Sequence, residues 1–343
     1  MSGEVEVFLD VMPGEIRGVI VRNGLCDALL IQRESDDPQL KLGARSVGRV
    51  AEIDPGLNGA FVDLGRTSAF LPLGKSRELT RGAKIEVEVS AEPREAKSAV
   101  LKLIGPGEGE PCLLAPGEDV VQALARLAPR VEPVTGLQAV QASLEAEDEA
   151  LSRTSLFPAL GLNLSIERTR ALIAIDMDYA PQPGRDVRKG RRQANLAGLH
   201  QTARLLRLRR WAGLVAIDLI GTGQDVEAVM TTARAAFGRD PEVVFGPINR
   251  FGVIMLSLPW KRAPLEEVFN GREGRLTLET RAIALVRRMK LRMLSDTTVP
   301  RFVVRCAPAE AAAAAPLVAR LGPRAHIISD PAIAAGCSVV EEA

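Results

Sequence analysis

Ala171-Leu-Ile-Ala-Ile-Asp176 and Leu214-Val-Ala-Ile-Asp218 end alike, each an aliphatic run that stops at a carboxylate. Short apolar runs bounded by polar or turn residues read as buried strands of a parallel sheet. The segment between them is long enough for the crossover helix that parallel neighbours require. As adjacent strands, they bring Asp176 and Asp218 out side by side at the carboxyl edge of the sheet, with strands about 4.8 Å apart. That edge is where ligands bind in open α/β sheets. Two carboxylates so close repel each other unless a proton or a cation lies between them. A hard divalent ion such as Mg²⁺ takes one or two carboxylates and keeps waters for a substrate phosphate. The pair therefore points to metal-assisted phosphodiester chemistry. A single Asp at a strand end commonly serves only as a cap or turn former; its repetition on two successive strands is what favours a site.

The 343 residues suggest about two or three domains. Apolar and charged fractions of 46% and 25% are ordinary for a soluble globular protein. The net charge of +1 hides local asymmetry: residues 185–210 carry nine Lys/Arg against one Asp, and residues 104–150 nine Asp/Glu against two Arg. Such clusters, not the total, indicate where a polyanion binds. The acidic start Met1-Ser-Gly-Glu-Val-Glu-Val has no secretory signal character. No apolar run reaches membrane-span length. Cys26, Cys112, Cys306 and Cys337 are scattered with no CxxC, as free thiols of a reducing cytoplasm would be. With only His200 and His326, a His-rich metal site is excluded.

Along the chain, Val5–Asp10, Ile16–Val21 and Asp27–Gln32, punctuated by Pro13-Gly14 and Asn23-Gly24, predict an antiparallel meander. About five short strands follow between residues 44 and 103, among them the strictly alternating Lys84-Ile-Glu-Val-Glu-Val-Ser. They suit a small closed barrel such as an OB-fold. Phe61 and Phe70 are its aromatics, equally readable as core or as base-stacking platforms, and Arg66, Lys75 and Lys97 supply charge. Residues 104–150 are rich in Pro, Gly and acid, with helices expected over 119–127 and 137–150. Helical spacing then predicts 193–210, whose Arg207, Arg209 and Arg210 suit either a solvated helix end or a phosphate contact. The basic tract Arg185–Arg192 precedes it and could clamp a phosphate backbone independently of sequence. A helix over 225–238 and strands near 242–245 and 252–258 follow. The chain closes with helices over 276–294 and 309–321 and strands over 301–305 and 326–329.

The order of these parts resembles the ribonuclease E/G family. The resemblance rests on Gly59-Ala-Phe-Val-Asp-Leu-Gly and Ala69-Phe-Leu-Pro-Leu, on Ile166-Glu-Arg-Thr-Arg-Ala-Leu-Ile-Ala-Ile-Asp176, and on Asn195-Leu with Ala203–Arg209. Ala212-Gly-Leu-Val-Ala-Ile-Asp218 and Asn249-Arg-Phe-Gly-Val complete it. It covers most of the chain. It implies an α/β and β multidomain protein. Residues 1–42 would be RNase H-like N-terminal strands, 43–103 an inserted OB-fold RNA-binding barrel, and 104–150 an acidic connector. Residues 151–263 would be a DNase I-like α/β catalytic unit, 264–275 a linker, and 276–343 a small C-terminal α/β domain. The implied activity is Mg²⁺-dependent cleavage of single-stranded RNA inside the chain, leaving 5′-phosphates, with Mn²⁺ as a substitute metal. Asp176 and Asp218 match the metal ligands, Asp178 adds a catalytic carboxylate beside them, and Phe61, Phe70 and Lys97 match the RNA-binding barrel residues. Arg188, Lys189, Arg191 and Arg209 would hold the RNA backbone. The implied setting is cytoplasmic RNA processing, away from membranes.

The chain departs from the family pattern at four places. Asp178 stands where the family has Asn, and Gly221 where it has an acid. Residues 104–150 leave no room for a 5′-end sensor, so cleavage is expected to ignore the 5′ end. Glu266–Gly274 holds no cysteine, so no zinc is expected and any homodimer would form without it. The first two departures motivate an alternative, a non-catalytic RNA-binding protein of the same fold. A Mg²⁺-dependent phosphatase or nucleotide enzyme would also use a carboxylate pair, but it leaves the barrel unexplained, and no P-loop is present.

Overall fold

The computed structural model describes residues 4–342 apart from 75–78, 96, 182, 185, 222, 224, 239 and 272. Two compact units divide the chain: residues 1–145 together with 261–343, and residues 146–260.

The first unit opens with the expected meander, β1 (Val5–Met12), β2 (Glu15–Arg22) and β3 (Leu25–Arg33), paired in sequence order. Val7, Ile20 and Leu30 from its three strands pack with Val120, Ala123 and Leu124 of α1 (Val120–Leu127). This helix starts at Asp119 because Asp119 and Gln122 satisfy each other's backbone amides in a capping box. The acidic stretch is thus partly a structural element of the N-terminal sheet.

Between meander and α1 lie β4 (Arg45–Asp54), β5 (Gly59–Asp63), β6 (Ser68–Pro72), β7 (Lys84–Ala91) and β8 (Val100–Pro106). β4 pairs with both β5 and β7, which closes the order β4-β5-β6-β8-β7 into a five-stranded barrel compatible with an OB-fold. Strict alternation puts Ile85, Val87 and Val89 inside with Val62, Leu71 and Leu101. The short β9 (Cys112–Ala115) adds to the outside of β4, an element the sequence did not announce.

The boundary between the units falls within α2 (Leu137–Leu151). The second unit then holds β10 (Thr154–Phe157), β11 (Leu162–Arg168), β12 (Ile173–Tyr179), α3 (Val187–Arg209), β13 (Gly213–Asp218), α4 (Val226–Phe237), β14 (Val244–Ile248) and β15 (Val253–Leu258). Its sheet runs β10-β11-β12-β13-β15-β14. Only β12 and β13 are parallel; the other pairs are antiparallel. One core contains Leu164, Ile166, Ile173, Ile175, Val215 and Ile217 with Leu199, Ala203, Val229 and Ala233 of α3 and α4. The two Asp strands were expected to be buried strands of a parallel sheet. They alternate instead: Ala174, Asp176 and Asp178 are exposed while Ile173, Ile175 and Met177 are buried. Antiparallel neighbours let such a sheet keep one open face.

The chain returns to the first unit with α5 (Leu265–Phe269), α6 (Leu278–Ser295), β16 (Phe302–Cys306), α7 (Pro308–Ala319), β17 (Ala325–Ser329) and β18 (Ser338–Glu342). α6 delivers Arg287, 2% exposed, to the meander. There it meets Asp10, the Ser143 hydroxyl at 2.7 Å and Glu15 at 3.2 Å. Glu15 also receives Arg17 at 2.6 Å and Arg33 at 2.9 Å. Burial raises the pKa of the Glu15 carboxyl, but the three guanidiniums outweigh it and hold the group below its ordinary range. All four cysteines are free thiols. Among the described residues no helix is long and apolar enough to cross a membrane.

Candidate active site

β12 and β13 run in register with Ala174 opposite Ala216 and Asp176 opposite Asp218. On the other side of Asp176, β11 places Ser165; beyond Asp218, β15 places Val253. Both carboxylates lie on the open face, in a depression of about 430 Å³ that Ser165, Glu167, Ala174 and Ala216 also line. Asp178 follows on the same face of β12, opposite Asn163 of β11. Partial burial, then the charges of Asp178 and Asp218, push the Asp176 carboxyl above its ordinary pKa. None of the three carboxylates is in an ion pair among the described residues. Two uncompensated hard oxygen donors on adjacent strands fit a divalent cation such as Mg²⁺. Among the described residues no three His, Cys, Asp or Glu side chains are grouped to hold a metal. Asp178 is therefore a charge near the pair, not a third member of a preformed cage.

Local packing fixes this edge. Asn195, 1% exposed on α3, accepts from the Ile220 amide at 2.8 Å and donates to the Ile220 carbonyl at 3.1 Å. The chain leaving Asp218 is thereby held against the crossover helix. Gly190, in the first turns of α3, lies against the Tyr179 ring; a Cβ there would come within 1.9 Å of the phenol oxygen. The end of β12 and the start of α3 are thus in direct contact.

The helix begins earlier than its periodicity suggested, because Asp186 caps it by accepting from the Lys189 amide at 2.9 Å. The basic tract is consequently the first two turns of α3 and not a preceding loop. Arg188, Lys189 and Arg191 are exposed there and make no ion pair among the described residues, whereas Arg192 pairs with Asp225 at 2.7 Å. Cations at a helix N-terminus oppose its dipole, so their placement has no local structural benefit. Arg191 approaches Gly221, in the loop after Asp218. Arg185 and Lys75 lie outside the described residues.

Arg209 corrects an expectation. It is 1% exposed, its guanidinium lies 5.0 Å from the Trp211 ring centroid, and it donates to the Ser152 carbonyl at the tight end of the hydrogen-bond range. Arg204 is buried likewise, on Glu149 at 2.7 Å. The last turns of α3 carry Arg204 and Arg209 inward, so Arg209 is removed from the set that can meet a phosphate backbone.

In the barrel, Phe61 and Phe70 face each other across β5 and β6 in an edge-to-face pair with centroids 5.5 Å apart. Both are half-buried and outside the barrel core, because the inward positions belong to Ala60, Val62, Ala69 and Leu71. Gly59 makes this possible: the Phe70 ring covers it so closely that a Cβ would lie 2.0 Å away. Lys97 is exposed in the tight turn with Arg94, two residues before Ala99, whose carbonyl accepts from the Phe70 amide at 2.8 Å. One outer wall of the barrel therefore presents two aromatic rings with a lysine-bearing turn at its neighbouring strand.

A family model, described as the ribonuclease E/G family, matches residues 119–258, a stretch that includes both strand-end aspartates and all of α3. Over these residues the chain is similar to the ribonuclease E/G family. The likeness over this segment points to ribonuclease activity in general, with RNA as the substrate that it suggests. The barrel lies outside the matched segment and stands on its own closed topology. A search of curated proteins returned no match. Reading the sequence missed Asn163, Ser165 and Glu167, which join the site only through the pairing of β11 with β12. Arg250 and Phe251, at the turn between β14 and β15, carry no role in the sequence reading beyond their place in Asn249-Arg-Phe-Gly.

Proposed function

We propose that this chain is a Mg²⁺-dependent endoribonuclease that hydrolyses single-stranded RNA, leaves 5′-phosphate products and is indifferent to the 5′ end. The observation that carries the reading is the in-register pairing of Asp176 with Asp218 at the open edge of the second sheet, with neither carboxylate in an ion pair among the described residues. Asp176 and Asp218 would hold the ion, with Mn²⁺ as a substitute. Mg²⁺ bound there supplies Lewis-acid polarisation of the scissile phosphate and a lowered pKa for an attacking water. Asp178 adds negative charge on the water-accessible side, suited to orienting a water. Arg188, Lys189 and Arg191 meet backbone phosphates from the start of α3. Phe61, Phe70 and Lys97 give the barrel a separate grip on unpaired nucleotides, since stacking on rings needs splayed bases. In this reading residues 1–42 are RNase H-like strands, 151–263 a DNase I-like catalytic unit and 276–343 a small terminal domain. The setting is cytoplasmic RNA processing, and any homodimer forms without zinc.

A second reading, an RNA binder without turnover, draws on Asp178, whose charge raises the pKa of Asp176, and on the absence of a three-ligand cluster among the described residues. One experiment separates the two. The purified chain is incubated with Mg²⁺ and single-stranded RNAs bearing a 5′-triphosphate, 5′-hydroxyl or 5′-phosphate, beside its Asp218→Asn variant. Equal cleavage of all three, lost in the variant and giving 5′-phosphate ends, is expected. RNA binding with no metal-stimulated cleavage would leave the binder; strong acceleration by a 5′-phosphate would remove the claim of 5′-end indifference.

A further inference from the structure

Phe251 is 70% exposed, more than any other large apolar residue described. Single exposed apolar side chains are ordinary on protein surfaces, but this one is held in place. The Asn249 carboxamide accepts from the amides of Phe251 at 2.9 Å and of Val253 at 3.1 Å, and the Asn249 amide donates to the Val253 carbonyl at 3.0 Å. Gly252 closes the turn at φ +85°, a conformation that suits glycine. The Arg250 guanidinium lies 4.8 Å from the Phe251 ring centroid and makes no ion pair among the described residues. A rigid turn thus presents an aromatic ring and a planar cation together to solvent.

The turn adjoins the carboxylate pair. Val253, two residues after Phe251, is the register partner of Asp218, and the Leu219 amide donates to the Gly252 carbonyl at 3.3 Å. All of these residues belong to the unit of residues 146–260.

We propose that Phe251 and Arg250 form a stacking platform for an unpaired base next to the phosphate that a cation at Asp176 and Asp218 would hold. The placement of that phosphate rests on the nuclease reading above. The ring offers its π-face to any base, and the guanidinium can stack on the base or pair with its phosphate. A base inside a duplex is already stacked on both sides and does not reach such a platform. The selection of single strands is therefore exercised at the cut itself, independently of the barrel.

The test uses the full chain in EDTA, so that binding is read without turnover. Phe251→Trp is titrated with a short unpaired RNA and with a blunt hairpin of matched composition, and its emission is compared with that of the parent, which holds Trp211 and Trp260. Quenching of the extra emission by the unpaired RNA and not by the hairpin is expected, with affinity of Phe251→Ala for the unpaired RNA roughly 5- to 100-fold weaker. Unchanged emission, together with an Ala variant that melts like the parent and binds within twofold of it, would overturn the proposal even if Mg²⁺-dependent cleavage is present. Quenching in EDTA, with no cleavage of the unpaired RNA by the parent when Mg²⁺ is supplied in place of EDTA, would retain the platform and remove the nuclease reading.

Discussion

Asn195 and Ile220 are joined by two hydrogen bonds, carboxamide to backbone on both sides, at 2.8 and 3.1 Å. The contact ties the middle of the crossover helix to the chain two residues beyond Asp218. Asn195→Ala would take a side-chain partner from the part-buried Ile220 amide and carbonyl, at a cost of about 1–3 kcal/mol. A lowered denaturation midpoint of that size is expected, together with slower cleavage, because Asp218 loses its anchor. A midpoint identical to the parent's would show that the clamp does not hold this edge.

The arginines of α3 divide by burial, and their substitutions should divide likewise. Arg188→Ala and Lys189→Ala are expected to leave stability within about 0.5 kcal/mol and each to reduce the salt dependence of RNA binding by about one unit of log–log slope. Arg209→Ala should do the reverse: about 1.5–3 kcal/mol of stability lost with its charged hydrogen bond and no change in salt slope. Titrations at several salt concentrations beside thermal melts distinguish the classes. A reduced slope for Arg209→Ala would contradict the burial seen here.

On the barrel, Phe61→Ala is expected to weaken single-stranded RNA binding by about 1–3 kcal/mol with little loss of melting temperature, since the ring is not in the core. Gly59→Ala should act at a distance of one residue type, displacing the Phe70 ring from the backbone it covers. Equal RNA affinity for parent and Gly59→Ala, measured by anisotropy, would show that ring placement there does not matter for binding.

Glu15 predicts an acid sensitivity. Its pKa in the folded chain is lower than the ordinary 4.5, because three arginines outweigh burial. A depressed carboxyl contributes stability above its unfolded pKa and loses it as pH falls through the folded value. Unfolding free energy should therefore decline as solutions are acidified below about pH 4.5, and Glu15→Gln should flatten that decline. At neutral pH the same variant should be less stable by about 3–5 kcal/mol, because buried guanidiniums lose their partner. Denaturant melts across a pH series read both effects; a parallel acid decline in the variant would assign the sensitivity elsewhere.

The parallel pairing of β12 with β13 was legible because an aliphatic run ending in Asp occurs twice with a helix between. Likewise the meander and the barrel announced themselves through turn residues and the alternation of residues 84–90. What could not be read was decided by cross-strand neighbours. β11 supplies Asn163 and Ser165 to the open face only through its register with β12. The inward turn of Arg204 and Arg209 depends on Glu149, Ser152 and Trp211, which no helical periodicity reveals. The outward placement of Phe61 and Phe70 was an even choice on the page of sequence and was settled by smaller residues filling the barrel.

Gly190 leaves a gap one carbon wide, and Tyr179 fills it. The tyrosine ends the strand that bears Asp176, and the glycine sits among Arg188, Lys189 and Arg191. The absence of a methyl group therefore works as a spacer that sets how near the cationic turn stands to the acidic rim. Gly190→Ala would need no change in charge to mistune the pair: it would pry the proposed phosphate grip and the proposed ion seat apart while every ionisable side chain stayed present.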